Sequence, residues 1–369
     1  IDINSCYGMI KAISPDVIIS LVGAVSLEED LPFLERLKND VTQIIVTGDI
    51  VLEDPDKWMK RHTFIDAVIM DFTSRDIIPY IEGRYETITS MVYRTVDSIR
   101  CTDYVRPKNE EFELPVPRHD LFKSNGYRFP FVRHKEFATV LTEYGCPFKC
   151  SFCIMSTLGS RYRSVENVIE EFKVLKKLGK KEIFIFDQTF GINKKRAIDL
   201  CRRMKEEEFN FGWVCYSRVD IVDEKLLREM KEAGCHTIMF GVESASEEIL
   251  KKYQKGYTKA QIRDAFRLCK KYNIRTVATF VIGLPEETEE TANETIEFLK
   301  EIDCDFASFN VAVPRMNTPL RQEAIREGLI TPDLEIMDQT GSSIAMPTKY
   351  LTIEQVLKLK KKDIRGFYL

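Results

Sequence analysis

The sequence predicts an α/β protein in two parts, a doubly wound N-terminal domain followed by a partial (β/α)6 barrel. Three observations predict it. Short β-branched runs alternate with helical periods up to about residue 95, and the alternation resumes with a longer period from about residue 137. A tight group of cysteines then follows the first strand of that second series. Strands alternating with helices argue for a parallel sheet covered by helices.

In the first part, Asp16-Val-Ile-Ile-Ser-Leu-Val22, Thr42-Gln-Ile-Ile-Val-Thr47 and Asp66-Ala-Val-Ile-Met-Asp71 are short apolar runs. Such runs suit strands buried on both faces. Between the first two, Leu27, Leu31, Leu34 and Leu37 recur at a helical period within Leu27 to Asn39. Residues 96–136 are richer in proline and charge and read as a linker. In the second part, strands are expected at 137–143, 182–187, 211–217, 236–241, 275–282 and 305–313. Helices are expected at 164–178, 193–208, 223–233, 246–272 with a break near Gly256, and 288–301. The barrel is read as residues 137–325, and a C-terminal extension, 326–369, as carrying a last helix over about 352–365 after the polar stretch Gly341-Ser-Ser343. The first segment starts at Ile1 like the middle of a helix, and the last stops in a pattern that could continue, so a trimmed chain is expected.

The composition is that of a globular protein of two domains: 369 residues, 44% hydrophobic and 30% charged. A net charge of −4 offers no footprint for non-specific nucleic-acid binding, which disfavours a nucleic-acid partner. No apolar run approaches the length of a transmembrane segment, and the cysteines show no disulfide framework, which suits a reducing cytoplasm.

The chemistry lies in Cys146-Pro-Phe-Lys-Cys150-Ser-Phe-Cys153, a C-x3-C-x2-C spacing. Three thiolates can hold three corners of a [4Fe–4S] cube and leave the fourth iron open, whereas an electron carrier would normally supply four cysteines. An open coordination position is the mark of a catalytic site at zinc, and the same logic applies here. A zinc site using His134 as fourth ligand lies far outside the usual spacing. The other seven cysteines, at 6, 101, 201, 215, 235, 269 and 304, stand singly and read as buried thiols.

This segment resembles the signature loop of the radical S-adenosylmethionine (radical SAM) enzymes, C-x3-C-x-Φ-C with an aromatic Φ, here Phe152. The resemblance implies that Cys146, Cys150 and Cys153 ligate a [4Fe–4S] cluster whose free iron chelates SAM. It also implies that one electron from the reduced cluster splits SAM into methionine and a 5′-deoxyadenosyl radical, so that the cofactor performs the hard chemistry. The core of such enzymes is a TIM-like partial barrel, with its working residues at the C-terminal strand ends. An oxygen-sensitive cluster implies an anaerobic setting, and a flavodoxin- or ferredoxin-type electron donor is the implied partner.

Further strand ends match the pattern. Phe240-Gly-Val-Glu-Ser244 resembles the G-x-E-S element, which makes Glu243 a SAM contact; the other reading is a carboxylate favoured by a helix N-terminus. Ile282-Gly-Leu-Pro-Glu-Glu287 matches the G-x-P-G-E-like turn at the adenine side, with Gly283 retained and Glu286 where glycine is common. Asp187-Gln-Thr-Phe190 resembles a D-D-x-F segment, with Asp187 kept and Gln188 in place of the second aspartate; the backbone there meets the SAM amine. Ser217 and Arg218 at the third strand end are placed at the SAM carboxylate, for which arginine has a matching planar fork; a surface salt bridge is the alternative for Arg218. Val313-Pro-Arg-Met-Asn-Thr-Pro-Leu320 keeps Thr318-Pro319 of a P-x-P-G-T-P-L element and departs at Arg315 and Asn317, where specificity for substrate is expected.

A doubly wound domain ahead of such a core resembles the Rossmann-like domain of the cobalamin (vitamin B12)-binding subclass. Ser20-Leu-Val22 resembles its S-x-L element and Thr47-Gly48 its G-G, so Ser20, Thr47 and Gly48 are placed at the corrin. The linker Glu113-Leu-Pro-Val-Pro-Arg-His-Asp120 resembles the bridge of that subclass. The D-x-H-x-x-G element with the cobalt-binding histidine is absent, and the four histidines at 62, 119, 134 and 236 do not replace it. Either that element lies outside this chain, or cobalamin binds without it, or it does not bind. Only Cys6 and Cys101 precede the loop and none follows Cys304, so one cluster is expected. The resemblance implies a cobalamin-dependent methyltransferase on an unactivated carbon or phosphorus. A non-methylating radical reaction (cyclisation, ring contraction or reductive cleavage) is the alternative, and an iron–sulfur carrier or sensor the rival of another class. The substrate is a small molecule, peptide or lipid that no motif marks.

Overall fold

The computed structural model describes residues 2–23, 26–48, 50–52, 54–105, 107–122, 126–334 and 346–368. The expected stretch at Gly341 to Ser343 lies outside them. The chain forms two compact units: residues 1–106 with 315–317 and 333–338, and residues 107–314 with 318–332 and 339–369.

The first unit runs α1 (Ile3–Ile13), β1 (Val17–Leu21), α2 (Leu27–Leu37), β2 (Gln43–Thr47), α3 (Pro55–Arg61), β3 (Ala67–Ile69), α4 (Ile77–Ile81), β4 (Met91–Arg94) and β5 (Ile99–Cys101). The strands pair in the order β1-β2-β3-β4-β5. Alternate residues of β2 feed opposite faces of this sheet. Ile44 and Val46 pack with Leu27, Leu31, Leu34, Trp58 and Met59, whereas Ile45 packs with Ile69, Tyr80, Met91 and Tyr93. Both faces are apolar, which is why these strands read as continuous hydrophobic runs.

Two features go beyond what the sequence marked. Strands β1 to β3 are parallel, but β4 and β5 are antiparallel. The order advances one way, so the reversal of a doubly wound sheet is not among the described residues. The turn closed by Thr95 N–H donating to the Ser98 carbonyl joins β4 to β5 as a hairpin, and so short a connection cannot join parallel strands. The supposed linker also contains β5 and a further strand, β6 (Lys108–Phe112). Its sequence, Lys-Asn-Glu-Glu-Phe, is exposed except at Phe112, so it carries no hydrophobic signature; main-chain pairing alone makes it a strand.

The second unit continues with β7 (Phe137–Val140), β8 (Glu143–Gly145), β9 (Ser160–Arg163), α5 (Val165–Lys177), β10 (Glu182–Ile185), α6 (Lys194–Glu206), β11 (Gly212–Ser217), α7 (Glu224–Glu232) and β12 (Cys235–Glu243). There follow α8 (Glu247–Lys252), α9 (Lys259–Lys271), β13 (Arg275–Ile282), α10 (Glu289–Ile302), β14 (Phe306–Val311), α11 (Pro319–Arg326) and α12 (Ile353–Tyr368). Six strands form one parallel sheet in the order β14-β13-β12-β11-β10-β7, the (β/α)6 arrangement expected. The helix starts are fixed locally. The side chains of Ser164, Asn193, Asp223, Ser246, Thr258, Thr288 and Thr318 each accept a backbone N–H of the first turn. The run over 246–272 does break: Gln254 and Gly256 take positive φ of 55° and 75°, and Thr258 restarts the helix with a capping box.

The strand expected over 137–143 is two strands. Residues 141–142 turn out of the parallel sheet, and β8 pairs antiparallel with β9, which pairs with β6. The cysteines lie on the connection between β8 and β9.

Candidate active site

The base of the cysteine loop is closed by backbone. Cys146 N–H donates to the Gly159 carbonyl at 3.0 Å, Cys153 N–H to that of Cys150 at 3.0 Å, and Ser151 N–H to that of Tyr253 at 3.1 Å. Gly145, just before the first cysteine, has φ 73°, and a Cβ there would stand 2.0 Å from the Gly159 oxygen. No L side chain fits this approach. Gly145→Ala is therefore expected to destabilise the protein by about 1–3 kcal/mol and to lower the iron retained after reconstitution. Anaerobic denaturant unfolding and an iron assay check both.

The three thiols lie close enough to repel one another. Burial pushes the thiols of Cys146 and Cys153 up, and the charge of Cys150 pushes both further up. Bound metal reverses this, because a coordinating thiol is deprotonated outright. Among the described residues no three His, Cys, Asp or Glu side chains converge tightly enough for one metal ion. A cubane places each ligand on a different iron, so its donors stand further apart than those of a single zinc. His134, the zinc alternative, is exposed ahead of β7. The hydroxyl of Ser151, beside Cys150, is buried with no protein partner. A donor so placed fits a group with acceptor sulfides. The loop thus could hold an iron–sulfur cube.

Around it stand the ends of several strands. Phe152 is half-buried, its ring 6.3 Å from that of Tyr253 and 5.5 Å from Lys255 Nζ. Glu243 ends β12 beside a register shift and holds φ 65°, an uncommon conformation for glutamate and one that clusters at working sites. Its Oε1 accepts from Lys255 Nζ at 2.9 Å, and its Oε2 accepts nothing among the described residues. Gly283 directly follows β13 with φ 85°, donates its N–H to Glu287 Oε2 at 2.6 Å, and has Val356 of α12 where a Cβ would lie, at 3.0 Å. Gln188 is half-buried with no side-chain hydrogen bond among the described residues.

Three of the expected residues have their side chains engaged within the protein. Asp187 is completely buried, and its carboxylate accepts from Thr142 N–H at 2.6 Å, the Thr142 hydroxyl at 2.6 Å and Glu143 N–H at 2.8 Å. It pins the turn from β7 to β8, ahead of Cys146. Ser217 gives its hydroxyl to the Phe190 carbonyl at 2.9 Å, tying the loop after β10 to β11. Arg218 spends its Nε and Nη2 fork on Asp220, at 3.0 and 2.9 Å, so that fork is not aimed at a ligand carboxylate.

Sequence reasoning missed Lys255, Tyr253 and Tyr257. The Gly256 break, flanked by Lys255 and Tyr257, was the available signal: it turns that segment back toward the strand ends. Thr189 was missed too; it is buried after β10 and its hydroxyl donates to the Gln188 carbonyl at 2.8 Å.

Glu143 is the titrating group of the site. Burial, then the charge of Asp187, pushes its carboxyl up to about 8, against Arg196 Nη1 at 3.0 Å. Burial raises the Asp187 carboxyl as well, against its three donors, so the Glu143–Asp187 pair retains a proton. Between the ordinary value of 4.5 and about 8 the folded protein then binds a proton that the unfolded chain has lost. Stability therefore falls as pH rises through that window, by at most about 1.4 kcal/mol per pH unit. Urea unfolding of the apoprotein at several pH values checks this, and Glu143→Gln is expected to flatten the slope.

A cavity of about 550 Å³ opens elsewhere, lined by Phe122, Phe129, Phe137, Thr139 and Phe184 among others. No residue of the cysteine loop lines it. The side chains, not this cavity, locate the chemistry.

In unit one, Gly48 has φ 134° and a Cβ there would stand 2.0 Å from the Val22 oxygen, so its glycine serves the chain's own packing. Thr47 gives its hydroxyl to the Ile69 carbonyl at 2.9 Å. Ser20, half-buried on β1, makes no side-chain hydrogen bond among the described residues. His62, at the end of α3, stacks on Trp58 at 5.6 Å.

Fold and loop together define an α/β enzyme of six parallel strands with three cysteines on one loop at its strand ends. The model of the radical SAM superfamily matches residues 140–299. An uncharacterized methyltransferase of Pyrococcus horikoshii is 35% identical over 374 residues, spanning 98% of this chain and 80% of that protein. The anaerobic magnesium-protoporphyrin IX monomethyl ester cyclase of Cereibacter sphaeroides is 30% identical over 235 residues, 61% of this chain and 37% of that one. Among solved structures, the radical SAM methyltransferase TsrM from Kitasatospora setae, with cobalamin and a [4Fe–4S] cluster bound, superposes with a TM-score of 0.71. It covers 88% of this chain and 67% of its own at 18% identity, a likeness of fold. The chain belongs to the radical SAM superfamily. Among the described residues no helix is long and apolar enough to cross a membrane.

Proposed function

We propose that Cys146, Cys150 and Cys153 hold a [4Fe–4S] cluster whose fourth iron takes SAM, and that the protein is a cobalamin-dependent methyltransferase acting on an unactivated centre of a small molecule. The observation that carries the reading is the loop itself: three buried or half-buried thiols within electrostatic range of one another, beside the orphaned Ser151 hydroxyl, at the strand ends of a (β/α)6 sheet. When bound, the cluster and SAM supply an electron and a 5′-deoxyadenosyl radical, and cobalamin supplies a methyl group. The chain's own residues hold and orient. Glu243 Oε2 offers an acceptor to a ribose or ammonium group, with Lys255 holding Oε1 at 2.9 Å. Gln188 and the backbone at Gly283 stand at the neighbouring strand ends. Phe152 and Tyr253 shield the loop from water.

For cobalamin, the support is the parallel strand ends of the first unit, with Ser20, Thr47 and Gly48, and the relatives named as methyltransferases. No histidine stands at those strand ends among the described residues. A flavodoxin- or ferredoxin-type protein would supply the electron. The cyclase relative favours a second reading, a non-methylating radical reaction on the same scaffold.

The test is anaerobic reconstitution followed by SAM and dithionite, with hydroxocobalamin added and the protein passed over gel filtration. Deoxyadenosine formation and a retained corrin spectrum are expected. Deoxyadenosine with complete loss of corrin selects the second reading, and no deoxyadenosine contradicts both.

A further inference from the structure

We propose that Arg218 sets the reduction potential of the cluster through Cys150, as a positioning residue, and does not hold the SAM carboxylate. This rests on the cluster reading above.

Arg218 is 5% exposed, and each part of its guanidinium is committed. Nε and Nη2 hold Asp220, and Nη2 also donates to the Lys255 carbonyl at 2.5 Å. Its Cζ lies over the Phe148 ring, 3.7 Å from the centroid, and 5.0 Å from that of the Tyr257 ring. Nη1 is thereby aimed at Cys150 Sγ, 3.6 Å away, within the longer reach of hydrogen bonds to sulfur. The fork that recognises carboxylates is the Nε/Nη2 edge or the Nη1/Nη2 edge. Asp220 occupies the first, while the second is divided between a thiol and a backbone oxygen. A fixed cation that touches a cluster ligand, with its own counter-ion, is arranged for electrostatics.

The direction follows from charge. One-electron reduction takes the cluster core from 2+ to 1+, the electron coming from dithionite or the physiological donor, and the extra negative charge is shared with the ligand sulfurs. An N–H donor and a positive charge at Cys150 stabilise the reduced form and raise the potential, since hydrogen bonds to sulfur and net charge are the protein's levers on such clusters. Lys255, 6% exposed, adds a second buried cation within electrostatic range of Cys150, with Glu243 opposing it. Asp220 partly cancels Arg218.

Two variants therefore shift the potential in opposite senses. Arg218→Gln is expected to make reduction about tenfold less favourable, about 59 mV more negative for one electron. Asp220→Asn, which leaves the guanidinium uncancelled, is expected to move it positive. Anaerobic potential titration followed by electron paramagnetic resonance reads both, with SAM binding measured in parallel by equilibrium dialysis of labelled SAM. SAM affinity is expected to hold in Arg218→Gln. Unchanged potentials overturn the inference, and so does a loss of SAM affinity at unchanged potential, which would make Arg218 a carboxylate ligand. Should Arg218→Gln fail to hold iron, Asp220→Asn decides alone: a positive shift supports the inference, and no shift or a negative one overturns it. A wild-type protein that takes up no iron would instead sink the cluster reading.

Discussion

Cys150→Ala is expected to leave the protein unable to hold a cluster and to abolish reductive cleavage of SAM. Cys150 is the most buried of the three loop cysteines and the one that Arg218 touches. A cube held by two thiolates loses a corner inside the protein, where no other donor stands ready among the described residues. Loss of partners beyond the metal ligands already costs 10–100-fold, so loss of a ligand is expected to exceed about 10²-fold in SAM turnover. The apoprotein should barely notice, because a small buried thiol becomes a smaller methyl group, at about 1 kcal/mol. Iron content, the visible absorption of the cluster and deoxyadenosine yield are the readouts, with denaturant unfolding as control. A cluster retained at wild-type iron content would contradict the assignment of Cys150.

Asp187→Ala carries the largest expected effect on stability. The carboxylate is fully buried and meets three donors, two backbone N–H groups and a hydroxyl, in the turn that swings the chain from β7 into β8. Alanine strands all three. It also removes the carboxylate that opposes the buried charge of Arg196, whose Nη2 donates to the Thr142 carbonyl at 3.0 Å. Breaking such a buried arrangement from one side costs about 3–5 kcal/mol, with about 1–3 kcal/mol typical of each orphaned group. Asp187→Asn keeps one acceptor and should lose less. Urea unfolding of the apoproteins measures the difference, and iron retention should fall with it because the turn leads into Cys146. A loss below about 1 kcal/mol would mean that the turn holds itself.

Much of the second unit was legible because its signals are local. Apolar β-branched runs, polar caps such as Thr258 and Thr288, and the Gly256 break each leave a mark within a few residues. The cysteine loop was legible for the same reason. What escaped the sequence depends on partners distant along the chain. Asp187 reads as a ligand at a strand end until Thr142 and Glu143, more than forty residues earlier, are found on its carboxylate. Arg218 shows no link to the loop until its Nη1 is found on Cys150, 68 residues earlier, and Lys255 is anonymous until the loop after α8 folds back onto Glu243. β6 was hidden because its side chains are exposed and only its backbone pairs. In the first unit the apolar runs gave the parallel strands, while the antiparallel edge came from a hairpin whose Ile99–Cys101 strand is three residues long.

The vacant coordination site is the point on which the account stands. Mössbauer spectroscopy of the protein reconstituted with iron-57, before and after SAM, tests it directly. One iron of the four is expected to change its signal when SAM binds while the three held by Cys146, Cys150 and Cys153 do not. Four irons indifferent to SAM, or a protein that retains none, would contradict it.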